Sequence, residues 1–527
     1  MSQFNPNEPF PWESTPAPGG VRGHAGSHGS VADPVLAHPH RPFPDPATGT
    51  LLVDPDITLK AKGFDLEINL FYNSRSNANG AFGKKRSIST NAYLLKTVGD
   101  TTIVQLVRGD EKVYQFSEGS TSGGVTTYNG LSTQYSGTSL VWDSNTSEWI
   151  ETFPDGKQII YDVSLGGSPE RWNIGRIEDP SGNIHTYSYG TGSETGLLKT
   201  VEVPGGRVVT FNYEPGGSPT SLLHEVQDWG GRIWTMAYDV NRELTTLTTP
   251  LGCATKYAYS SGKLSTIEDP RGYRSTYAFD GNGRIASVAS GSGVWTYAYG
   301  GPMSWSGSQR TDPSGAITTY LLDSNGRINE TLHPEGYTST LVYSTRGYIA
   351  KEIQPYGTVL SATYDDFGRP LVVFDALGNV TTNQYDASGN LTTLIDALGN
   401  VHSFTYDGDR RLTCRIDPLG RRTSYAWNSD GTLLAQQDGR GLFTTHAYDA
   451  FGNLASTLFS DGGVVTMQYD VYGRMTTMTD QLGRITSYGY DVADHMISMT
   501  NALGEMRRWV YDSCLLAAEV DPLGFRT

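Results

Sequence analysis

The residues of this sequence with the most evident capacity for chemistry are aspartates that recur at a fixed spacing. Examples are Asp386, Asp396 and Asp417, each three residues before a glycine. Two carboxylates about 5 to 10 Å apart in one cleft could cleave a glycosidic bond. A catalytic pair occurs once or twice in a protein, whereas these aspartates occur in every copy of a repeat. Their recurrence favours a structural role, and no catalytic residue is predicted.

Motifs for metal ions and nucleophiles are equally weak. Residues 280–283 and 323–326 are similar to the opening of a calcium loop, but both lack the D-x-D-x-D-G start and the glutamate at position 12. Neither G-x-S-x-G nor H-E-x-x-H occurs. His402 and His446 stand on the arms of the repeat, where wall residues are expected. We therefore predict no metal site and no cofactor.

Residues 1–43 are rich in Pro, Gly, Ser and His and contain few apolar side chains. Ordering such a segment buries too little surface to offset the lost chain entropy, so a disordered leader is predicted. A metal site in this leader is the less favoured alternative, because the spacing of its histidines matches no standard ligand set. Those histidines are His24, His28, His38 and His40.

The composition excludes several classes of protein. With 39 Lys and Arg against 55 Asp and Glu, the formal net charge is −16, which argues against a nucleic-acid partner. Three widely spaced cysteines without a C-x-x-C exclude a disulfide-dense scaffold and a Cys-type zinc site. The apolar runs are far shorter than the roughly 18 residues that span a bilayer. The N-terminus lacks the apolar segment of a Sec signal peptide, so export would need another route.

A 21-residue repeat dominates the chain. A glycine recurs at that interval from Gly315 to Gly504, and a second glycine series follows eleven residues behind it. A Tyr-Asp dipeptide stands between the two glycines in most copies, as at 385–386. From about residue 176 to 300 the unit is recognisable but irregular. Three residues interrupt the second series: Arg410, Asp494 and Leu515.

Each unit contains two D-x-x-G turns, such as 386–389 and 396–399. Aspartate at the first position and glycine at the fourth are typical of a type I turn, in which the carboxylate accepts backbone N–H bonds and the glycine takes a positive φ. The arms between the turns have the length of a strand. Thr423, Tyr425 and Trp427 alternate along one arm, as strand residues do. Each repeat is therefore predicted to be a β-hairpin.

The repeats are too numerous for a flat sheet. They give about 16 hairpins, whereas an open twisted sheet rarely exceeds about 10 strands without curling. We therefore predict an all-β fold in which antiparallel hairpins form a long coiled sheet or a partial shell. A β-propeller is the alternative, because two units nearly match one four-stranded blade of about 40 to 45 residues.

The consensus D-P-L-G-R-x-T-x-Y-x-Y-D-x-x-G-x-L resembles the YD repeat of the RHS family. That family includes bacterial RHS proteins, insecticidal toxin-complex C components and animal teneurins. Residues 417–433 and 480–496 match the consensus well, and the resemblance covers about residues 176–527.

The segment before the repeats resembles the domain that commonly precedes them in the family. The similar residues are 45–49, 72–76 and 80–83, although Lys84 and Lys85 replace the usual Gly-Trp. We divide the chain into a leader at 1–43, an N-terminal RHS-associated β domain at 44–175, and repeats at 176–527 that are irregular to about 300 and regular over 312–527.

The resemblance implies a hollow shell of spiralling β-hairpins. In toxin members the shell encloses a C-terminal effector, and in teneurin-like members it scaffolds cell-surface recognition. The leading hypothesis is therefore a non-enzymatic structural module of an exported or cell-surface protein, with a C-terminal core or effector as its partner. The sequence ends at 521–527, at the onset of another repeat, without that core and effector. We expect a fragment, or a remainder encoded elsewhere.

Two other functions are compatible with the sequence. Aromatic side chains on the arms favour an extracellular adhesion or carbohydrate-binding module, with a cell-surface glycan or protein as receptor. A carbohydrate-active propeller enzyme is the third hypothesis, and it would need one pair of carboxylates that line a single pocket. The structural interpretation of the aromatics, which we favour over glycan binding, is a packing ladder between neighbouring hairpins. It would be formed by Tyr385, Tyr406, Trp427 and Tyr448.

Overall fold

The computed structural model describes residues 44–45, 50–53, 56–97, 103–131, 138–214, 221–300, 307–512 and 514–527. The leader predicted at 1–43, with its histidines, lies outside the described residues. The described residues form β-strands and turns, with two short 3₁₀ helices at Gly192–Glu194 and Pro355–Gly357. These ranges contain no α-helix, so the predicted all-β class is confirmed. Within them, no helix has the length and apolar character needed to cross a membrane.

Strands near the N-terminus form two small sheets. β3 is the central strand of the larger sheet, because it pairs with β1, β2 and β6, while β4 pairs with β5. Most of β3 is buried, so other elements cover this sheet. The bounds are β1 Leu52–Val53, β2 Asp56–Leu59, β3 Leu66–Asn73, β4 Asn79–Gly80, β5 Gly83–Lys84 and β6 Arg86–Ile88.

All later strands belong to one antiparallel sheet of 40 strands that curls closed. Its first strands form a ring, because β14 pairs with β7 as well as with β13 and β15. The strands of the ring are β7 Tyr93–Lys96, β8 Ile103–Val107, β9 Val113–Ser122, β10 Val125–Gly130, β11 Ser139–Asp143, β12 Glu148–Thr152, β13 Gln158–Gly166 and β14 Glu170–Glu178.

From β15 onward the sheet continues as a single ribbon of hairpins. Its irregular part contains β15 Ile184–Tyr189, β16 Leu198–Val203, β17 Arg207–Tyr213, β18 Leu223–Gln227, β19 Ile233–Tyr238, β20 Leu244–Thr248, β21 Ala254–Ser260, β22 Lys263–Glu268, β23 Arg274–Phe279, β24 Ile285–Ser290, β25 Gly293–Tyr299 and β26 Gly307–Thr311. Its regular part contains β27 Ile317–Leu322, β28 Ile328–Leu332, β29 Thr338–Tyr343, β30 Ile349–Ile353, β31 Val359–Tyr364, β32 Pro370–Phe374, β33 Val380–Tyr385, β34 Leu391–Ile395, β35 Val401–Tyr406, β36 Leu412–Ile416, β37 Arg422–Trp427, β38 Leu433–Gln437, β39 Phe443–Tyr448, β40 Leu454–Phe459, β41 Val464–Tyr469, β42 Met475–Thr479, β43 Ile485–Tyr490, β44 Met496–Thr500, β45 Met506–Asp512 and β46 Leu515–Val520.

The β-propeller alternative is wrong. A propeller divides its strands into separate four-stranded blades, whereas here every strand from β15 to β45 pairs with the one after it. Identical hairpins have no blade boundary at which pairing would stop, so the ribbon continues and its accumulated twist makes it coil. The predicted coiled sheet is confirmed, and the domain boundaries at 43 and 175 stay predictions.

The predicted D-x-x-G turns are confirmed in the hairpin corners. In the turn that begins at Asp396, one carboxylate oxygen accepts the backbone N–H groups of Leu398 and Asn400 at 2.9 Å. The other accepts the Asn400 side-chain amide at 2.9 Å. Gly399 donates its N–H to the Asp396 carbonyl and has a φ of 81°, in the region where side chains are disfavoured. The sequence therefore fixes its own corners locally.

Three residues of the predicted ladder, Tyr385, Trp427 and Tyr448, bind the neighbouring strand through a hydrogen bond, and the fourth, Tyr406, is half-buried in the wall. The first arm of a repeat is the strand that precedes its Tyr-Asp corner. In eight repeats the aromatic residue that ends this arm donates its hydroxyl or indole N–H to a backbone carbonyl 15 residues upstream, on the neighbouring strand, at 2.8 to 3.3 Å. The donor–acceptor pairs are Tyr343–Ile328, Tyr364–Ile349, Tyr385–Pro370, Trp427–Leu412, Tyr448–Leu433, Tyr469–Leu454, Tyr490–Met475 and Tyr511–Met496.

The hydrophobic core is confined to the N-terminal part of the described chain. Its buried cluster runs from Leu51 to Val288 and includes Trp149 and Phe211. Beyond residue 300, most strand residues are only half-buried. The regular ribbon is therefore a thin wall of one sheet, whose stability depends on its ladder, its corners and its contacts with other parts of the chain.

Candidate functional site

The recurrent aspartates are occupied by their own turns. In residues 323–326, one oxygen of Asp323 accepts two backbone N–H groups and the other accepts the Arg327 guanidinium at 2.8 Å. Asp280 makes the same set of bonds with Arg284. Hydrogen bonds, first from the Asn400 amide and then from backbone N–H groups, hold the pKa of Asp396 below its ordinary value. These carboxylates are acceptors that stabilise corners, as the turn interpretation of 280–283 and 323–326 predicts.

No group of three His, Cys, Asp or Glu side chains in the described ranges could hold a metal ion. His446 lies on β39, where its Nδ1 is 3.1 Å from the Thr457 hydroxyl oxygen of the neighbouring strand. His402 stands opposite Leu394 in the ladder of β34 and β35. Both histidines are wall residues in the strands, as the sequence indicated.

Two open cavities have polar linings. The larger, of about 410 Å³, lies where Lys84 of the N-terminal sheets meets Asp239, Glu243 and Tyr259 of the ribbon. Its carboxylates already have partners, because Asp239 accepts backbone N–H groups of its own turn and Glu243 lies 3.5 Å from the Lys84 ammonium. The second, of about 260 Å³, is lined in part by Asp438, which is likewise bound to its own turn. In both cavities, therefore, the carboxylates are engaged by their own turns or by Lys84, including Asp461, which accepts the Gly463 N–H.

The geometry that distinguishes this chain is a seam, the line along which one full coil of the ribbon contacts the next. We call these two coils the earlier turn and the later turn of the ribbon. The Trp229 indole N–H donates to the Val471 carbonyl at 3.1 Å, and the Tyr472 hydroxyl donates to the Gly230 carbonyl at 3.1 Å, both across 242 positions. The Asn183 amide donates to the Asp430 carbonyl across 247 positions. A nearly constant offset over separate hairpins means that the ribbon returns to its own edge after about that length.

The seam joins two kinds of corner. The second arm of a repeat is the strand that follows its Tyr-Asp corner. The earlier turn of the ribbon contributes the corners at the end of these second arms, such as 179–182 and 228–231. The later turn contributes the corners that follow Tyr-Asp or its equivalent, such as 428–431 and 470–473. The hairpins of the later turn that carry these corners therefore contact the earlier turn through one of their ends.

Charged and aromatic groups reinforce the seam. Arg232 is almost fully buried and forms ion pairs with Asp228 at 2.6 Å and Asp494 at 2.5 Å, while its guanidinium lies 4.1 Å from the centre of the Tyr472 ring. Arg207 lies 3.9 Å from the centre of the Phe451 ring. Charge-assisted and cation–π contacts of this kind, removed from water, hold the two turns together more strongly than surface pairs.

The interruptions of the second glycine series lie on this seam. Arg410 and Asp494 keep a positive φ, of 64° and 70°, at the corner position that other copies give to glycine. The third such residue is Cys514, with a φ of 64°, rather than Leu515. Arg410 donates to the Pro154 carbonyl at 2.6 Å, Asp494 pairs with Arg232, and Cys514 forms a disulfide with Cys253.

Sequence reasoning missed this role, although the signal was present. Non-glycine residues are disfavoured at a positive φ, so the breaks in an otherwise regular series mark the positions where a side chain is needed. In this chain they are the positions at which a later turn contacts an earlier one. The recurrent Arg or Asn directly after the glycine was a second unused signal, since it supplies the bond to the free carboxylate oxygen, as Asn400 and Arg327 do.

The free edge of the ribbon is apolar. In six of its corners, five D-x-L-G and one N-x-L-G, the third residue is a leucine whose side chain is 76 to 87% exposed, and no residue of the described chain covers it. Arg440 and Asp461 interrupt this row between Leu419 and Leu482. Such exposure at one position of several repeats is unusual for a surface that faces only water. The leucines of this row are Leu377, Leu398, Leu419, Leu482, Leu503 and Leu523.

The family described as RHS Repeat matches this sequence in four overlapping or adjacent copies, at residues 364–401, 385–422, 448–480 and 469–506. Among curated proteins, none matches the sequence.

The chain is also similar to several solved structures. The TcdB2-TccC3 complex without its hypervariable C-terminal region is 12% identical, with 86% of this chain and 27% of that chain covered and a TM-score of 0.48. The Tc holotoxin pore of Photorhabdus luminescens is 13% identical, with 90% and 26% covered and a TM-score of 0.38. The N-terminal domain of the effector protein SpvB from Salmonella typhimurium strain LT2 is 14% identical, with 40% and 97% covered and a TM-score of 0.27. This chain spans about a quarter of the length of the two toxin chains.

Proposed function

The chain belongs to the RHS-repeat family, and we propose that it is a non-enzymatic wall segment of a shell that encloses or presents a C-terminal effector. The observation that carries the proposal is the seam. Successive turns of one ribbon contact each other edge to edge at offsets of about 242 to 262 residues. A ribbon that stacks on itself in this way forms a continuous wall, and a wall needs no catalytic group.

The free leucine edge suggests where the partner docks. Corners of the same design are covered at the seam, where Ser181 of the earlier turn lies against Gly431 of the later one. The leucines on the last turn present a corresponding edge that nothing in the described chain covers. We propose that a C-terminal core region, or the effector with it, covers this edge, since burying a row of leucines supplies a favourable free energy of association.

An extracellular or cell-surface location fits this function. The disulfide between Cys253 and Cys514 requires an oxidising environment to persist. A net charge of −16 makes association with nucleic acid unfavourable. Both features agree with an exported protein.

The test is limited proteolysis of the complete gene product that carries this chain, followed by mass spectrometry. We expect trypsin to cleave segments C-terminal to residue 527 much more slowly than the same segments expressed alone. A variant with Gly399→Val and Gly420→Val, which weakens two corners of the wall, should expose them. Equal cleavage of the enclosed and the isolated segments would contradict the proposal, as would a full gene locus without any downstream core or effector sequence.

The adhesion alternative has no specific observation in its favour. A glycan-stacking row needs aromatic faces that are free to meet a sugar, whereas the terminal Tyr and Trp of the arms donate to neighbouring carbonyls and are half-buried. We therefore advance only the wall function.

A further inference from the structure

The last hairpin of the ribbon is attached to the earlier turn by a covalent bond. Cys253, in the corner between β20 and β21, forms a disulfide with Cys514, in the corner between β45 and β46, and their Cα atoms are 6.1 Å apart. The two residues are 261 positions apart, close to the 262 positions that separate Arg232 from Asp494 in the seam. Cys414 is the free cysteine and is buried in β36.

Apart from the ladder that joins β45 to β44, this hairpin has few apolar contacts. β46 is the final strand of the ribbon; it pairs with β45 and, through Glu519 and Val520, with residues 526–527. In β45 and β46 together, only Ala518 is buried, while the remaining side chains are half-buried or exposed. Further contacts with the earlier turn include hydrogen bonds from the Arg271 guanidinium to the carbonyls of Leu516 and Asp512, at 3.1 and 3.4 Å, and the Thr249 hydroxyl, 3.9 Å from the Cys514 sulfur. Segments with few apolar contacts open at low free-energy cost.

The position of Cys514 also indicates a dedicated role. It has a φ of 64° at a corner where glycine is the unstrained choice. A side chain at this corner is retained despite its conformational cost, as at Arg410 and Asp494, and in all three cases it contacts the earlier turn. Both cysteines of the bond are only half-buried, so a soluble thiol can approach it.

We propose that the Cys253–Cys514 disulfide is a redox clasp that fastens the end of the wall, and that its reduction releases the last hairpin while the rest of the ribbon stays folded. The reductant is an external thiol. One thiolate attacks a sulfur of the bond to form a mixed disulfide and expels the other cysteine as a thiolate; a second thiolate then attacks the external sulfur of that mixed disulfide. The chain gains two thiols and the two external thiols become a disulfide, so electrons and protons balance.

The clasp rests on the proposed wall function and extends it, because opening the clasp would open one end of the shell. It depends on that function only for its biological meaning, since the release itself is a property of this chain. A failed protease-protection experiment with an intact clasp would refute enclosure alone, whereas an inert disulfide would refute the clasp alone.

The test is hydrogen–deuterium exchange of the full chain with and without dithiothreitol, read by mass spectrometry. We expect reduction to speed exchange by about tenfold or more in peptides that cover 506–520, while peptides from β33 to β40 stay unchanged. A Cys253→Ala, Cys514→Ala double variant should exchange rapidly at 506–520 in both conditions. The control variant Cys414→Ala keeps the clasp and should respond to dithiothreitol as the parent does.

Three results would overturn the proposal. The first is the finding of free thiols at Cys253 and Cys514 in a peptide map of the oxidised protein, prepared without a reductant. The second is unchanged exchange at 506–520 although the thiols are shown to be reduced. The third is faster exchange throughout the ribbon on reduction, which would make the bond a global staple instead of a local clasp.

Discussion

Replacing Gly399 with valine tests whether the hairpin corners depend on a positive φ. Gly399 has a φ of 81°, and a Cβ built on it meets no atom within 4 Å. The substitution therefore introduces no steric overlap with the rest of the protein, and only the backbone conformation penalises it. A left-handed conformation costs an L-residue about 1 to 2 kcal/mol, and a β-branched residue falls at the upper end.

Gly408 offers a matched control in the neighbouring repeat. It also lies in an exposed corner, with no atom within 4 Å of a built Cβ, but its φ is outside the left-handed region. Gly408→Val adds the same side chain to the same kind of surface and should change the free energy of unfolding by no more than about 0.5 kcal/mol. The difference between the two variants isolates the cost of the positive φ.

The assay is equilibrium unfolding in urea, followed by tryptophan fluorescence and far-ultraviolet circular dichroism. We expect Gly399→Val to lower the free energy of unfolding by about 1 to 2 kcal/mol relative to Gly408→Val. Native-state hydrogen exchange should place the loss in β34 and β35, on either side of the corner. Equal unfolding midpoints for the two variants would refute the assignment of the corner geometry.

Three further perturbations test the seam, the corners and the ladder. Arg232→Met leaves Asp228 buried without its ion partner and should destabilise the protein by about 3 kcal/mol in urea unfolding. The pKa of Asp430 is about 2, because bonds from Lys62 and Thr432 outweigh the burial that raises it. Its ionised form therefore stabilises the fold above about pH 4, and the stabilisation should be lost as the pH falls from 4 to 2 in a titration of unfolding midpoints. Tyr448→Phe removes a hydrogen bond of 3.0 Å to the Leu433 carbonyl and should cost about 1 kcal/mol by the same denaturation assay.

Each of these predictions has its own control. Arg421→Met breaks a pair in which the arginine is 68% exposed and should change stability by less than about 1 kcal/mol; a loss as large as that of Arg232→Met would argue against the buried seam. Lys62→Met should reduce the stability lost between pH 4 and 2, and an unchanged titration would assign that loss to other carboxylates. Tyr356→Phe alters a side chain that is 93% exposed and should be neutral, so an equal effect of Tyr448→Phe and Tyr356→Phe would contradict the ladder.

The local part of the fold was predictable from the sequence. Asp396 and Gly399 fix a corner through bonds between residues at most four apart, and Tyr448 reaches a neighbouring strand 15 residues away. The type of turn, the strand length and the ladder follow from such short-range preferences. Because every copy repeats them, a long coiled sheet follows as well.

The seam could not be predicted in the same way. Its offset depends on how the small twist between neighbouring strands accumulates over many hairpins, and no short motif encodes that sum. The bond between Cys253 and Cys514 was hidden for this reason, since the partners of a disulfide cannot be paired from sequence alone. The interruptions at Arg410 and Asp494 were visible, but their meaning required the earlier turn beside them.

The return of the ribbon to the N-terminal part of the chain is tested most directly by a zero-length carbodiimide cross-link between Lys62 and Asp430. These residues are far apart in sequence, yet the Lys62 ammonium lies 2.6 Å from the Asp430 carboxylate. The local pair Lys60–Asp65, also at 2.6 Å, reports whether the reagent has acted. Our account predicts that mass spectrometry finds both cross-linked peptides, and that Asp430→Asn removes only the first. Recovery of the Lys60–Asp65 product without any product between Lys62 and Asp430 would contradict it.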